Sequence, residues 1–300
     1  MHTSKHVAFE KHVVESDGWM ASNPERVTPD LPLPVEENKH PFDEAFLETV
    51  CRKHPKTESS PPPAVVLPFT VRIARTETHL SQAVRVRWQS YSRTLPDLAK
   101  ELRTPEPADT AEHNIVLVAE DKATGVPVGS MRVETNLGGS HFLDRWFHLP
   151  EKFSNRTVAW VTRLAVQSGA TGRLAKLAIF KALYRYCLAV QIDWITVGSV
   201  PPLDRQYLRL GFQPIFPDGK LVPMPGNPRI PQRMLAFDVV RAEQTWREQN
   251  HPFYQFIVRD YCPDILIFSS LSGAWSTPRD RQRPPPPPKS LDEAFGFTIV

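Results

Sequence analysis

The 300-residue sequence is poor in cysteine and glycine. Cys51, Cys187 and Cys262 are its only thiols, and 13 Gly stand against 31 Pro. The thiols are widely spaced and form no C-x-x-C pair, which excludes a disulfide framework and a zinc ribbon and points to a reduced, cytoplasmic setting. Long apolar runs are missing too. The first twenty residues, MHTSKHVAFEKHVVESDGWM, lack the apolar centre of a signal peptide. No stretch reaches the ~18 apolar residues of a membrane helix, so no integral membrane segment is expected. Charge of one sign is also scarce. A formal net charge of +3 gives no argument for nucleic acid, and no nucleic-acid motif occurs. No His, Cys or Asp cluster has metal-ligand spacing, so no metal is expected. His113, His141 and His148 read most simply as surface residues.

The abundant residue is proline, and it is unevenly placed, crowding 24–68, 201–231 and 278–288. Residues 1–67 read as a disordered N-terminal tail, 68–268 as the folded domain, and 269–300 as a Pro-rich C-terminal tail entered through the stiff R-Q-R-P-P-P-P-P-K linker. D-E-A-F occurs in both end segments, at 43–46 and 292–295, either as a docking motif used twice or as chance similarity of short acidic-aromatic pieces.

Periodicity divides the folded part. Alternation predicts strands over 69–75, 114–121, 126–136 and 156–166, the second and third joined by the D-K-A-T-G turn. Helical spacing covers 78–91, starts again at 96 and dissolves before 109, and runs long over 172–191. A buried strand (193–200), a short helix ending in Gly (202–212), late strands (213–216, 233–240) and a closing helix (246–262) follow. Residues 139–153 read as a helical or loop excursion. The order implies an α/β (α+β) mixed sheet with helices on both faces: antiparallel hairpins first, then a βαβ crossover.

The break between the fourth strand and the long helix is the most informative stretch. Q167-S-G-A-T-G172-R puts a small-residue turn at a helix N-terminus, where unpaired N–H groups and the helix dipole favour an anion. Gly169 and Gly172 let backbone approach a ligand. No Gly-Lys-Ser/Thr follows, so this is not a nucleotide P-loop.

Strand, Q-x-x-A-x-G turn, helix, strand and then Y207-L-R-L-G-F212 resembles the GCN5-related N-acetyltransferase (GNAT) superfamily, with Ala170 where its usual motif has a glycine. The resemblance sharpens upstream. G129-S-M-R132-V-E134, then F-L-D-R-W-F-H-L-P at 142–150, then W160-V-T-R163-L look like acyl-homoserine-lactone (autoinducer) synthases and N-acyl amino acid synthases of the FeeM type. R87-W-Q-S-Y91 and E106-P-A-D109-T are similar to further motifs of those families, and the likeness spans about 70–240.

The resemblance implies a GNAT-like fold and transfer of an acyl group, long in the family, from an acyl carrier protein or CoA thioester to an amine. No tightly bound cofactor is implied. The thioester's pantetheine or pyrophosphate would lie on Leu164, Val166, Gln167, Gly169, Ala170, Thr171, Gly172 and Arg173. Arg87, Arg132 and Arg163 would be the family's arginines, and Glu106 and Asp109 its paired acids, with Tyr91 in the same substrate-binding group. The pattern breaks at Trp160, where the family carries the glutamate expected as base.

The residues can be read beside that implication. Aminolysis of a thioester needs a base for the amine, donors for the thioester oxygen and a proton for the leaving thiolate. Glu134 shares a sheet face with Arg132 and is the substitute base, or else a solvated strand glutamate. Tyr207 is the general acid or a packing residue. Arg163, inside an apolar strand, needs an anion: a substrate carboxylate, or Glu106 or Asp109 in a structural ion pair. Arg173, Lys176, Lys181 and Arg185 give the long helix a basic side, either solvated or a dock for an acidic acyl carrier protein. No Cys or Ser sits in a nucleophile motif, which favours direct attack over an acyl-enzyme. Two functions stand: an N-acyltransferase acting on an amino acid or related small amine, and a catalytically weakened module that binds acyl thioesters.

Overall fold

The computed structural model describes residues 64–139, 143, 148–225 and 227–268. The expected C-terminal tail, nearly all of the N-terminal one, both D-E-A-F segments, Cys51, His141 and most of the 142–150 motif lie outside the described residues.

Strand β1 (Phe69–Ile73) leads into helix α1 (Glu77–Thr94), which starts where the Thr76 side chain accepts a hydrogen bond from His79 N. Helix α2 (Pro96–Glu101) and a 3-10 turn (Pro107–Asp109) follow, then β2 (Asn114–Asp121) and β3 (Pro127–Thr135). The β2–β3 turn is set by Asp121, whose Oδ1 accepts from the backbone N–H groups of Ala123 and Thr124. Then come β4 (Val158–Val166), α3 (Gly169–Ala189), β5 (Trp194–Ser199), α4 (Asp204–Arg209), β6 (Gln213–Pro214), β7 (Leu221–Met224), β8 (Asn227–Asp238) and α5 (Val239–Glu248). The strands form one mixed sheet in the order β1-β2-β3-β4-β5-β8-β6, with β7 paired to β8. Among the described strands only β4 and β5 pair in parallel, as a βαβ crossover through α3 requires. This is the mixed, helix-flanked sheet that the sequence predicts.

The sheet has two unlike faces. On one, α3 and α5 cover the main core, which includes Phe69, Val71, Leu117, Met131, Val133, Ala159, Val161, Ile195 and Phe237. α3 lies close on β3 at Gly129, where a Cβ would meet Ile179 Cδ1 at 2.7 Å. On the other face, α1 packs Leu80 and Ala83 on Val116 and Val118. Farther along that face, Trp160 joins Val158, Leu143, Phe153, Ile215 and Met234 in a second small cluster. Between these two clusters the face is charged.

Several boundaries move. The long helix starts at Gly169 rather than 172, so the small-residue turn is its first turn. The expected closing helix over 246–262 is instead α5, ending at Glu248, and a π-helical turn at Gln255–Arg259. The Pro-rich stretch after 216 holds the β7–β8 hairpin, whose prolines 223 and 231 stand opposite each other across the pair. Beyond the π-helical turn, the chain lies against β1, with Val71 N donating to Asp264 O and Leu266 N to Val71 O, and this covers the sheet edge. No helix among the described residues is long and apolar enough to cross a membrane.

Gly172 is the tightest point of the turn, because a Cβ there would fall 1.7 Å from Gln167 O. Gly172→Ala is expected to destabilise the fold by about 1–3 kcal/mol, read as a lower urea midpoint. An unchanged midpoint would mean that the turn relaxes freely.

Candidate active site

The site is built around a defect in β4. Opposite β3, Ser130 faces Ala165 and Arg132 faces Thr162, so Met131 alone lies against the two residues Arg163 and Leu164. The extra residue is a β-bulge, and Arg163 takes it up in the left-handed region at φ +54°. On its other edge β4 pairs with β5 only from Val158↔Trp194 to Val161↔Val197. Past that rung β5 continues against β8 alone, so the two strands part and the backbone of 162–166 is left without a β5 partner. α3 starts at the end of the parted segment. Its first turn carries no acidic residue, Ser168 makes no side-chain cap, and residues 168–170 are exposed.

Three arginines and three carboxylates hold this geometry on the α1 side. Glu106 takes Arg163 in a fork, with Nε to Oε2 and Nη2 to Oε1 both at 2.7 Å. Arg132 Nη1 also donates to Glu106 Oε2 at 2.9 Å, while its Nε donates to Glu134 Oε1 at 2.9 Å and to Thr162 Oγ1 at 3.0 Å. Arg87 Nη1 donates to Asp109 Oδ1 at 2.7 Å, and Asp109 Oδ2 accepts from Glu106 N at 2.9 Å. Arg87 and Asp109 are fully enclosed and Arg163 is less so, with side-chain exposures of 1%, 0% and 22%. Burial raises the Glu106 carboxyl, but the Arg163 hydrogen bonds and the charges of Arg163, Arg132 and Arg87 outweigh it and bring it down to about 2.

The sequence-derived candidates therefore fall into groups. Arg87, Glu106, Asp109, Arg132, Glu134 and Arg163 form one network, joined by Thr162, which sequence reasoning passed over. Its signal was the two-residue spacing from Trp160 along the strand. The Arg163 fork is occupied by Glu106, so Arg163 is in the ion-pair arrangement rather than open as a clamp for a substrate carboxylate. Trp160 is not in the network. It is 7% exposed, packs in the second apolar cluster and stands directly opposite Glu134 across the β3–β4 pair. Leu164 and Val166 lie on the parted segment, and Gln167, Gly169, Ala170, Thr171, Gly172 and Arg173 form the turn and first helical turn. Tyr207, on α4, meets Phe212 edge to face at 5.4 Å. Burial pushes its phenol up, and the Tyr91 phenol of α1 adds to the rise. Tyr91 is also raised by burial, with Arg163, Arg87 and Arg132 pulling the other way. Tyr91 and Tyr207 thus influence each other from elements attached to opposite sides of the β4–β5 parting.

The basic side of α3 is corrected. Lys181 is 1% exposed, and its Nζ is bound by the carbonyls of Phe256, Ile257 and Asp260, so it caps the π-helical turn instead of facing solvent. The Arg185 guanidinium lies over the Phe268 ring, 5.4 Å from its centroid. Lys176 Nζ donates to Gln206 Oε1 on α4.

No protein-family profile and no characterised protein sequence matches the chain. Solved structures do. The chain is similar to FeeM, an N-acyl amino acid synthase from uncultured soil microbes, at 18% identity over 59% of this chain and 93% of that one, with a TM-score of 0.43. It is also similar to the CoA-dependent acyl-homoserine lactone synthase BjaI, solved with SAM and isopentyl-CoA, at 14% identity over 60% of this chain and 89% of that one, TM-score 0.45. A third likeness is MesI, another CoA-dependent acyl-homoserine lactone synthase, at 20% identity over 60% of this chain and 95% of that one, TM-score 0.39.

The depressed carboxyl of Glu106 has a definite pH signature. Its folded value lies below its ordinary value of 4.5, so its contribution to stability is complete above about pH 4.5 and is lost as pH falls towards about 2. Allowing for its partial exposure, the loss amounts to about 1–2 kcal/mol. Urea midpoints at pH 5 and pH 3 should fall farther for the unsubstituted chain than for Glu106→Gln. Equal falls would show that Glu106 does not carry the difference.

Proposed function

We propose that the chain is an N-acyltransferase that moves an acyl group from an acyl carrier protein or CoA thioester to the amine of an amino acid or related small amine. One observation carries this reading. The β4–β5 parting brings together a bulged backbone edge, an uncapped helix N-terminus and a cross-strand carboxylate, Glu134. The edge and the carboxylate answer two requirements of aminolysis, and the helix end suits the anion of the acyl donor.

The phosphate or pyrophosphate that ends a pantetheine arm is an anion, and the first turn of α3 offers it N–H groups and the positive end of the helix dipole. The pantetheine amides, laid along residues 162–166, pair with backbone that has no β5 partner, in the manner of an added strand. The thioester carbonyl then reaches the bulge, where a backbone N–H donor stabilises its developing negative charge. The amine approaches from the α1 side, where Glu134 holds the base position. The Arg132 and Thr162 bonds both use Glu134 Oε1, which leaves Oε2 for the amine proton. Direct attack in a ternary complex needs no nucleophilic side chain. Arg163 acts as a positioning residue, because its side chain ties the bulge to Glu106.

Trp160 gives this mechanism its particular form. A glutamate at 160 would stand opposite Glu134, where like charges repel. The chain places one carboxylate on this rung, on β3 rather than β4, with an indole as its neighbour. The same substitution also supports the alternative, a thioester-binding module without turnover. Incubation with acyl thioesters and pooled amino acids, read by mass spectrometry, separates the two. N-acyl product is expected, whereas bound thioester without product would favour the module.

Within the enzyme reading, Glu134→Gln is expected to lower kcat by about 10²–10⁴-fold with little change in KM for the thioester; an unaltered kcat would remove Glu134 from the base role. Trp160→Glu exchanges a packed indole for a charge beside Glu134. It is expected to cost about 3 kcal/mol or more in stability, with activity lost. A gain in activity would mean that the absent carboxylate at 160 had been limiting.

A further inference from the structure

The outer side of α1 carries a groove that the site does not use. Arg87 is buried toward the network, whereas its neighbour Trp88 keeps 40% of its surface exposed. A single exposed indole needs no explanation, but Trp88 is not isolated. With Val84 and Arg85 it forms one wall of a cavity of about 500 Å³, and Arg103, Thr104 and Pro105 form the other. The Arg103 guanidinium stands over the Trp88 ring, 5.8 Å from its centroid. No carboxylate is among the described lining residues, and neither Arg85 nor Arg103 has an ion-pair partner among the described residues. The groove therefore offers an aromatic surface between two uncompensated cations. It suits a segment in which an aromatic side chain is flanked by acids.

The chain carries such a segment itself. Residues 42–50 read F-D-E-A-F-L-E-T-V, with acids at 43, 44 and 48 and apolar residues at 42, 46, 47 and 50, the spacing of one side of a helix. They lie outside the described residues. The thirteen residues 51–63 join them to Ala64. Fully extended, that tether reaches about 45 Å, comparable with the diameter of a domain of about 200 residues. The second D-E-A-F, at 292–295, has two acids, is followed by Gly296 and is joined to Phe268 by the 23 residues 269–291. The copy at 43–46 thus belongs to the more acidic segment and has the shorter tether, which gives it the higher effective concentration at the groove.

We propose that the groove between α1 and 103–105 binds segment 42–50 of the same chain, with Phe46 against Trp88 and with Asp43 and Glu44 toward Arg85 and Arg103. Both walls of the groove adjoin the charged network. Trp88 follows Arg87, which pairs with Asp109, and Pro105 precedes Glu106, which takes Arg163 in its fork. The bound segment joins the two walls and braces Glu106 from outside. This docking does not depend on the acyl-transfer reading.

The test uses the full chain with p-benzoylphenylalanine in place of Phe46. After irradiation, crosslinks are expected within one chain, to 81–88 or 103–105. Reversing the acids (Asp43→Arg with Glu44→Arg) or the cations (Arg85→Glu with Arg103→Glu) is expected to lower their yield about fivefold or more. Combining the two pairs is expected to restore it. With Phe46 in place, amide exchange at 102–104 should quicken in both reversed variants and slow again in the combined one. Crosslinks that map elsewhere, that join an isotopically heavy chain to a light one, or that withstand both reversals overturn the proposal. So does a groove that is crosslinked from position 295 and not from 46. If position 46 gives no crosslink, the exchange decides: equal rates in all variants overturn the docking, and the reciprocal pattern upholds it.

Discussion

The forked ion pair between Glu106 and Arg163 is the constraint on which the site depends. A non-glycine residue in the left-handed region costs roughly 1–2 kcal/mol, and Arg163 sits there at φ +54° in the middle of a strand. Two charge-assisted bonds of 2.7 Å from a partner 57 positions away in the chain offset that cost. The bulge they hold lies just past the last β4–β5 rung, where the backbone of 162–166 has no β5 partner. The charges around it balance, three arginines against three carboxylates. That balance matters because burying a charge is tolerable only when it is paired and hydrogen-bonded. Apart from Glu134, the network is therefore better understood as a scaffold for the bulge than as a set of groups waiting for substrate.

The two faces of the sheet are unlike. The α1 face carries the network and Glu134, while α3 and its exposed first turn lie on the main-core face. Trp160 belongs to the first of these and is buried in its apolar cluster. Directly paired positions on neighbouring strands bring their Cβ atoms to about 4.5–5.5 Å, so a carboxylate at 134 serves nearly the same space as one at 160. Under the proposed acyl transfer, the departure at 160 relocates an acid within one rung of the sheet, to β3, where Arg132 beside it and Thr162 across from it bond the carboxylate.

Much of this was legible in the sequence, for identifiable reasons. Strand β4, the turn and α3 show because alternation gives way to helical spacing at a run of small residues. Arg132 and Glu134 share a face because they are two apart on a strand. What was hidden depends on distant partners. Lys181 reads as one of four basic residues on a helix, and nothing nearby says that three carbonyls from 256–260 enclose it. The fork on Arg163 was one open choice among several until Glu106 was placed against it. The β7–β8 hairpin was obscured by prolines, which argue against a strand unless they fall where no ladder N–H is needed. The π-helical turn was read as a regular helix because its apolar spacing differs little from one.

The central claim is that the thioester carbonyl rests on the bulge at Arg163, in reach of backbone donors. It is tested most directly by the ¹³C resonance of an acyl-phosphopantetheine labelled at the carbonyl carbon, bound to the chain without amine. Hydrogen bonding to the oxygen predicts a downfield displacement from the free ester, which diminishes in Glu106→Gln as the bulge loosens. A bound thioester whose carbonyl resonates where the free ester does, in both proteins, would contradict the account.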